Sequence, residues 1–211
     1  MTITLEEGVE QIGLRLSSTQ LSQLHAYLAM LQKWNRVYNL TAVRNPIEMV
    51  THHLLDSLSV IPSLLREREG GKPFTLLDVG SGGGLPGAVI AICCPQAQVS
   101  CVDTVAKKAA FQQQIGLELK LPNLRGLHAR VENLREPNDV VCSRAFASLA
   151  DFTQWSAGSL APNGVWMALK GKHPVDEIAL LPSTVEVFHV EQLVVPGLEA
   201  DRCIVWMRST T

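Results

Sequence analysis

The apolar positions of this chain change period near residue 74, and that change divides its architecture. Before it they recur at helical spacing, and residues 4–65 read as helices. Leu21, Leu24, Leu28 and Leu31 form one stripe that runs to about Trp34, behind a Ser17-x-x-Gln20 capping box. Asn45-Pro46-x-Glu48 predicts a second helix start, with Asn45 as N-cap, Pro46 at the first helical position and Leu54, Leu55 and Leu58 on the buried side. Arg66 to Pro73 breaks all periodicity and reads as a surface linker.

From Thr75 onward, short β-rich runs alternate with helical stretches. Strands are predicted over Thr75–Val79, Gln98–Val102, Leu124–Ala129, Asp139–Cys142 and Val165–Leu169, with a turn at Pro162-Asn-Gly164 before the last. A short helix follows Lys170-Gly-Lys-His-Pro174, and two further β-rich runs, Thr184–Val195 and Cys203–Met207, end the chain. Pro196–Asp201 between them has no room for a helix, so these last strands pair as an antiparallel hairpin. The expectation is a helical extension over 1–73 and an α/β domain with a seven-stranded, mostly parallel sheet over 74–211.

The most informative stretch is Phe74-Thr-Leu-Leu-Asp-Val-Gly-Ser-Gly-Gly-Gly-Leu-Pro-Gly87, a strand that ends in an acid and spills into glycines. Gly80, Gly82, Gly83 and Gly84 supply a turn free of side-chain bulk, through which backbone N–H groups can approach a ligand, and Pro86 opens the helix after it. Strand, glycine turn and helix is how an open α/β sheet builds a nucleotide site at its switch point. Gly82-x-Gly84-x-x-Gly87 fits the dinucleotide pattern, and Asp78-x-Gly80-x-Gly82-x-Gly84 fits that of S-adenosylmethionine-dependent methyltransferases. The first turn glycine should follow the strand directly, which selects Gly80, and a carboxylate at Asp78 suits a cationic ammonium better than a pyrophosphate. Asp103 ends the next strand about twenty residues on, where such folds accept ribose hydroxyls. Arg130-Val-Glu132 and Ser143-Arg144 stand at later carboxyl strand ends, on the ligand side by the same rule.

Lys33 to Arg44 joins the two helical stretches and concentrates aromatics, amides and arginines, a mixture suited to RNA. Packing of Trp34 and Tyr38 onto the core is the reading the sequence favours for those two rings. His52-His53-x-x-Asp56 offers too few ligands for a metal, and no metal is expected.

Composition narrows the class. The 211 residues are 46% hydrophobic and 18% charged with a net charge of −2, so any nucleic-acid contact rests on local patches. The five cysteines, Cys93, Cys94, Cys101, Cys142 and Cys203, show no CxxC spacing and read as reduced core residues of a cytoplasmic protein. Met-Thr-Ile-Thr-Leu-Glu-Glu is acidic where a signal peptide is basic, and the apolar run Ala88–Cys94 is too short for a membrane span, so neither export nor a membrane is expected.

Asp78 to Gly87, with Asn39-Leu-Thr-Ala-Val-Arg44, His53-Leu-Leu-Asp-Ser57, Ser143-Arg-Ala-Phe-Ala-Ser148 and Leu169-Lys-Gly171, resembles the bacterial ribosomal small-subunit methyltransferase G family, also called glucose-inhibited division protein B. The resemblance implies a Rossmann-like class I methyltransferase fold. It implies methyl transfer from S-adenosylmethionine to N7 of guanine-527 in the 530 loop of 16S rRNA, on the 30S subunit or its precursor and not on DNA. It makes Gly80 and Leu85 cofactor contacts, alongside Asp78, Gly82 and Gly84, with Asp103 on the ribose and Val131 and Glu132 near the adenine. Arg144 would border the cofactor and the target base and act by positioning, with no general base. Arg36, Arg44, Lys170 and Lys172 would contact phosphates, with Asn39 beside them. Where family members commonly carry a second proline, this chain reads Gly87-Ala88-Val89, which bears on the pitch of the helix start. Two other classes fit parts of the pattern: a non-catalytic nucleotide-binding regulator docked on the ribosome, and an NAD-dependent oxidoreductase.

Overall fold

The computed structural model describes residues 3–69, 71–146 and 148–210. The expectations that touch Met1, Thr2, Gly70 and Ala147 lie outside the described residues. Thr4 and Ser17 each close a capping box, the first with Glu7 and the second with Gln20, and so start α1 (Leu5–Ile12) and α2 (Ser18–Tyr38). Asn39 ends α2 in the left-handed region at φ 50°. Asn45 caps α3 (Pro46–Met49) through the Ile47 N–H, as its sequence predicts.

The expected single helix beyond α3 is interrupted. A π-helical turn over Val50–Leu55 leads into α4 (Asp56–Leu58), and α5 (Ile61–Glu67) follows. Residues 53–58 are buried without a break, so this segment has no solvent face to give it an amphipathic period, and its polar members point into enclosed sites. Turns of this wide kind concentrate at functional sites.

The remaining elements alternate: β1 (Phe74–Val79), α6 (Gly87–Cys93), β2 (Ala97–Asp103), α7 (Ala106–Glu118), β3 (Leu124–His128), β4 (Asn138–Arg144), α8 (Leu149–Ser156), β5 (Leu160–Lys170), α9 (Val175–Ala179), β6 (Val185–Leu193) and β7 (Arg202–Ser209). They form a seven-stranded sheet in the order β3-β2-β1-β4-β5-β7-β6. The first five strands are parallel, and β7 runs antiparallel between β5 and β6. The switch point lies between β1 and β4, where successive connections leave in opposite directions, and the glycine turn sits at its carboxyl end.

The turn expected at Pro162-Asn-Gly164 lies inside β5. Asn138 pairs with Leu160 but Val140 pairs with Val165, so β5 bulges there, with Asn163 at φ 63°. Gly164 is required at that bulge, because a Cβ would lie 2.9 Å from both the Ala161 and Asn138 carbonyl oxygens.

Strand alternation divides the core by face. Phe74, Leu76, Val99, Cys101, Met167 and Leu169 join one cluster with Leu24, Tyr27, Leu31 and Leu54 of the N-terminal helices. Leu77, Val79, Val102, Trp166 and Ala168 join the other, with Leu149 and Phe152 of α8. The N-terminal helices thus share the cover of one sheet face with α6 and α7, whose Val89, Ile90, Phe111 and Ile115 join the same cluster. Among the described residues no helix is long and apolar enough to cross a membrane.

Candidate active site

The glycine turn takes its shape from left-handed backbone at Gly80 (φ 69°), Gly82 (φ 57°) and Gly84 (φ 85°), conformations that favour glycine. Its N–H groups are largely spent on the protein itself. Gly80 and Ser81 donate to the Val102 carbonyl, Gly84 and Leu85 to the Ser81 carbonyl, and Gly82 to Asp103 Oδ2 at 3.0 Å. This corrects the expectation of a turn whose amides reach a ligand. A pyrophosphate site needs free N–H donors, so the arrangement does not suit a dinucleotide. The turn instead offers close approach: a Cβ on exposed Gly80 would meet nothing within 4 Å.

Three side chains hold the turn from other elements, and two of them, Tyr27 and Gln112, are not evident as site residues in the sequence. Tyr27 of α2 donates its hydroxyl to the Gly83 carbonyl at 2.9 Å, fully buried, and burial raises its pKa. Gln112 of α7 donates from Nε2 to Ser81 Oγ at 2.9 Å and to the Gly82 carbonyl at 3.0 Å. Ser143 Oγ donates to the Val79 carbonyl at 2.8 Å, tying the end of β4 to that of β1. A phenol inside the Leu24–Leu31 stripe is the one signal that marks Tyr27, as a polar tip on a buried face needs a partner.

Asp78 lies beneath the turn, with no exposed surface. Its Oδ2 accepts from the Gly87 N–H at 2.8 Å, while Oδ1 has no hydrogen-bond partner. Burial pushes its pKa up to about 7, against the pull of the Gly87 N–H and the Arg144 charge. Asp103 stands at the tip of β2, 6% exposed, with Oδ1 accepting from the Val105 N–H at 2.9 Å and Lys108 Nζ 3.7 Å from Oδ2. Each of its oxygens keeps a lone pair for a further donor. Leu85 and Val131 are buried apolar residues, and Glu132 is half-buried in a 3-10 turn at Val131–Asn133.

Beside the turn, the Asn39–Arg44 segment is pinned by Asn35, whose Oδ1 accepts from the Thr41 N–H at 2.8 Å and whose Nδ2 donates to the Val43 carbonyl at 3.2 Å. Thr41 Oγ1 lies 2.8 Å from His53 Nε2. Burial, then the Arg144 charge, pushes the His53 pKa down to about 4, so its ring is neutral at pH 7. Asp56 takes arginines: Arg144 Nη1 donates to Oδ2 at 2.9 Å and Arg202 Nε to Oδ1 at 2.7 Å. Arg144 Nη1 also donates to the His52 carbonyl at 3.1 Å. Arg144 thus reaches from the end of β4, the strand beside β1, to this helical wall.

The expected phosphate contacts fare unevenly. Lys170 is not free for that role: its Nζ lies 2.8 Å from Glu177 Oε2, and its side chain is only 12% exposed. Glu177 also accepts from the Leu149 N–H at 2.9 Å, so the pair ties α9 and β5 to the start of α8. Arg36, Arg44 and Lys172 are exposed, and Arg44 Nη2 donates to Asn39 Oδ1 at 3.0 Å. Trp34 packs on Phe111 with ring centroids 5.2 Å apart, and Tyr38 stays 39% exposed beside it.

Comparison with known proteins gives the fold class and the family. In fold the chain is similar to magnesium protoporphyrin IX methyltransferase of Synechocystis PCC 6803, with a TM-score of 0.61 at 14% identity over 92% of this chain and 99% of that one. It is also similar to a SAM-dependent methyltransferase of Aquifex aeolicus, with a TM-score of 0.53 at 16% identity over 70% of this chain and 89% of that one. These place the fold in the class I SAM methyltransferases. In sequence it is 65% identical to the ribosomal RNA small subunit methyltransferase G of Polaromonas naphthalenivorans, over 97% of this chain and 94% of that protein. The protein of the same name from Acidovorax ebreus is 64% identical over 97% and 93%. With residues 20–205 also matching the GidB family model, this chain belongs to the rRNA small subunit methyltransferase G family.

Proposed function

We propose that the protein transfers a methyl group from S-adenosylmethionine to N7 of guanine-527 in the 530 loop of 16S rRNA, within the 30S subunit or its precursor. The observation that carries the reading is the juxtaposition at the switch point: the open face of Gly80, Asp103 beyond it and Arg144 on the adjoining strand. The donor set fits S-adenosylmethionine. Gly80 and Gly82 admit it against bare backbone, with buried Gly84 and Leu85 below. Asp103 accepts its ribose hydroxyls, Val131 and Glu132 border its adenine, and Asp78 places negative charge under its ammonium end. It supplies an electrophilic methyl on a sulfonium.

Guanine N7 carries a lone pair and no proton, so the transfer needs no general base. The protein contributes alignment, which is worth roughly 7–11 kcal/mol when reacting groups are held in line. Arg144, fixed by Asp56 and the His52 carbonyl, orients the substrate. In an A-form helix N7 lies in a groove that side chains do not enter, so the target is unpaired or drawn from its stack. Exposed Arg36, Arg44 and Lys172, with Tyr38 and Asn39, supply the outer RNA contacts.

Incubation of the protein with labelled S-adenosylmethionine and 16S rRNA, as free RNA and in particles, should label one guanine. A transcript with 7-deazaguanine at that position should stay unlabelled. Binding without transfer in every form would mark a regulator instead of an enzyme.

Asp103→Asn should keep the fold and weaken S-adenosylmethionine binding by roughly tenfold to a hundredfold. A hydrogen bond to a charged group is worth roughly 1.5–3 kcal/mol, and the amide retains only one acceptor oxygen. Calorimetry checks this; an unchanged dissociation constant would remove Asp103 from the ribose.

A further inference from the structure

Two arginines from strands that are not neighbours converge on one carboxylate. Arg144 ends β4 and Arg202 begins β7, with β5 between them in the sheet, yet both guanidiniums meet Asp56. Asp56 is 5% exposed, while Arg144 and Arg202 are 22% and 26% exposed, so the carboxylate lies behind and the guanidinium edges lie in front. They line a cleft of about 420 Å³ with His52, His53, Lys170 and Gly171. Lys170 is neutralised by Glu177, whereas two arginines share one Asp56 charge, which leaves the cleft net positive. Arg144 Nη1 and Arg202 Nε and Nη1 have protein partners, and the Nη2 groups of both remain free among the described residues. His53 Nδ1, buried in the same wall, also has no hydrogen-bond partner.

We infer that Asp56 holds Arg144 and Arg202 as a two-arginine seat for one backbone phosphate of the RNA, beside the nucleotide that is methylated. The inference rests on the function proposed above and extends it to a residue, Arg202, that the sequence does not mark. Paired guanidinium forks match the oxygens of a phosphate. A base edge is the poorer fit: an arginine on guanine engages O6 and N7 together, and would occupy the lone pair that must attack. A phosphate anchors the nucleotide and leaves N7 free. Asp56 is a positioning residue, setting the spacing of two cations that would otherwise repel.

The test uses the full chain and an RNA oligonucleotide spanning the target loop, unmodified or with a single neutral methylphosphonate at successive linkages. Arg202→Gln should weaken RNA binding about tenfold and lower the slope of log affinity against log salt by about one contact's share. S-adenosylmethionine affinity should stay within twofold of wild type. One methylphosphonate should weaken wild-type binding to the same degree and add nothing in Arg202→Gln, as expected for two changes that remove one interaction. In Asp56→Asn that linkage should lose its distinct effect while cofactor affinity persists, which a loss of fold would not produce. A wild-type salt slope in Arg202→Gln, or additive losses at every linkage, would overturn the seat. Methylation mapped to another atom, with the sensitive linkage still present, would sink the N7 assignment and leave the seat standing.

Discussion

Replacing Gly87 by Ala should cost the protein about 1–3 kcal/mol of stability, the usual range for overpacking a filled site, and with it most cofactor binding. A Cβ there would stand 2.5 Å from Cys101 Sγ, 2.9 Å from Asp78 Oδ2 and 3.1 Å from Asp78 Cβ. Cys101 and Asp78 are fully buried on β2 and β1, so neither can swing aside without moving a strand. Displacing Asp78 would also separate its carboxylate from the Gly87 N–H, its one backbone donor. Gly83→Ala is the control: its Cβ would press on Leu31 Cδ1 at 3.0 Å, the far end of a flexible side chain. Urea midpoints and calorimetric binding of S-adenosylmethionine should separate the two variants. Equal midpoints would show that the helix start can shift to make room.

Asp78→Asn should stabilise the protein at alkaline pH while impairing cofactor binding. In the unfolded chain Asp78 titrates near 3.8, and in the folded one burial raises it to about 7. Between those values the folded state holds a proton that the unfolded state has released. Stability from this group is therefore intact near pH 4, falls as pH rises through the window and is lost above about 7. At about 1.4 kcal/mol per unit, the cost of the ionised carboxylate approaches roughly 4 kcal/mol at pH 8. The amide carries no charge and can still accept from Gly87, so the variant's urea midpoint should overtake that of the wild type from pH 5 to pH 8. A wild-type advantage that holds across that range would refute the buried-charge account. A charge so costly to the fold needs a return elsewhere, and under the proposed function the ammonium end of the cofactor would supply it.

Much of this was legible in local patterns. The Ser17–Gln20 capping box, the N-cap at Asn45, the glycine turn, the acid at the tip of β2 and the terminal antiparallel pair are set by residues within a few positions of one another. What escaped depends on distance along the chain. Tyr27 reaches Gly83 across 56 residues, Gln112 reaches Ser81 across 31, and Arg202 reaches Asp56 across 146, so no window of sequence contains both partners. Lys170 misled for a related reason: a lysine after a strand looks like a solvent-facing cation until α9 folds back and brings Glu177 against it. Burial hid the π turn too, since a run enclosed on every side loses the periodicity by which a helix is read.

The turn whose amides are already engaged has a thermodynamic consequence. Fixing a residue's backbone costs roughly 1–2 kcal/mol of conformational entropy, and a ligand that must organise a loose loop bears that cost on arrival. Here Gly80 to Leu85 are organised when the chain folds, by Val102, Asp103, Tyr27 and Gln112, so under the proposed function the cofactor would meet a preset mould. Affinity for the donor and cohesion of the fold would then be drawn from the same hydrogen bonds, and neither could be loosened in evolution without the other.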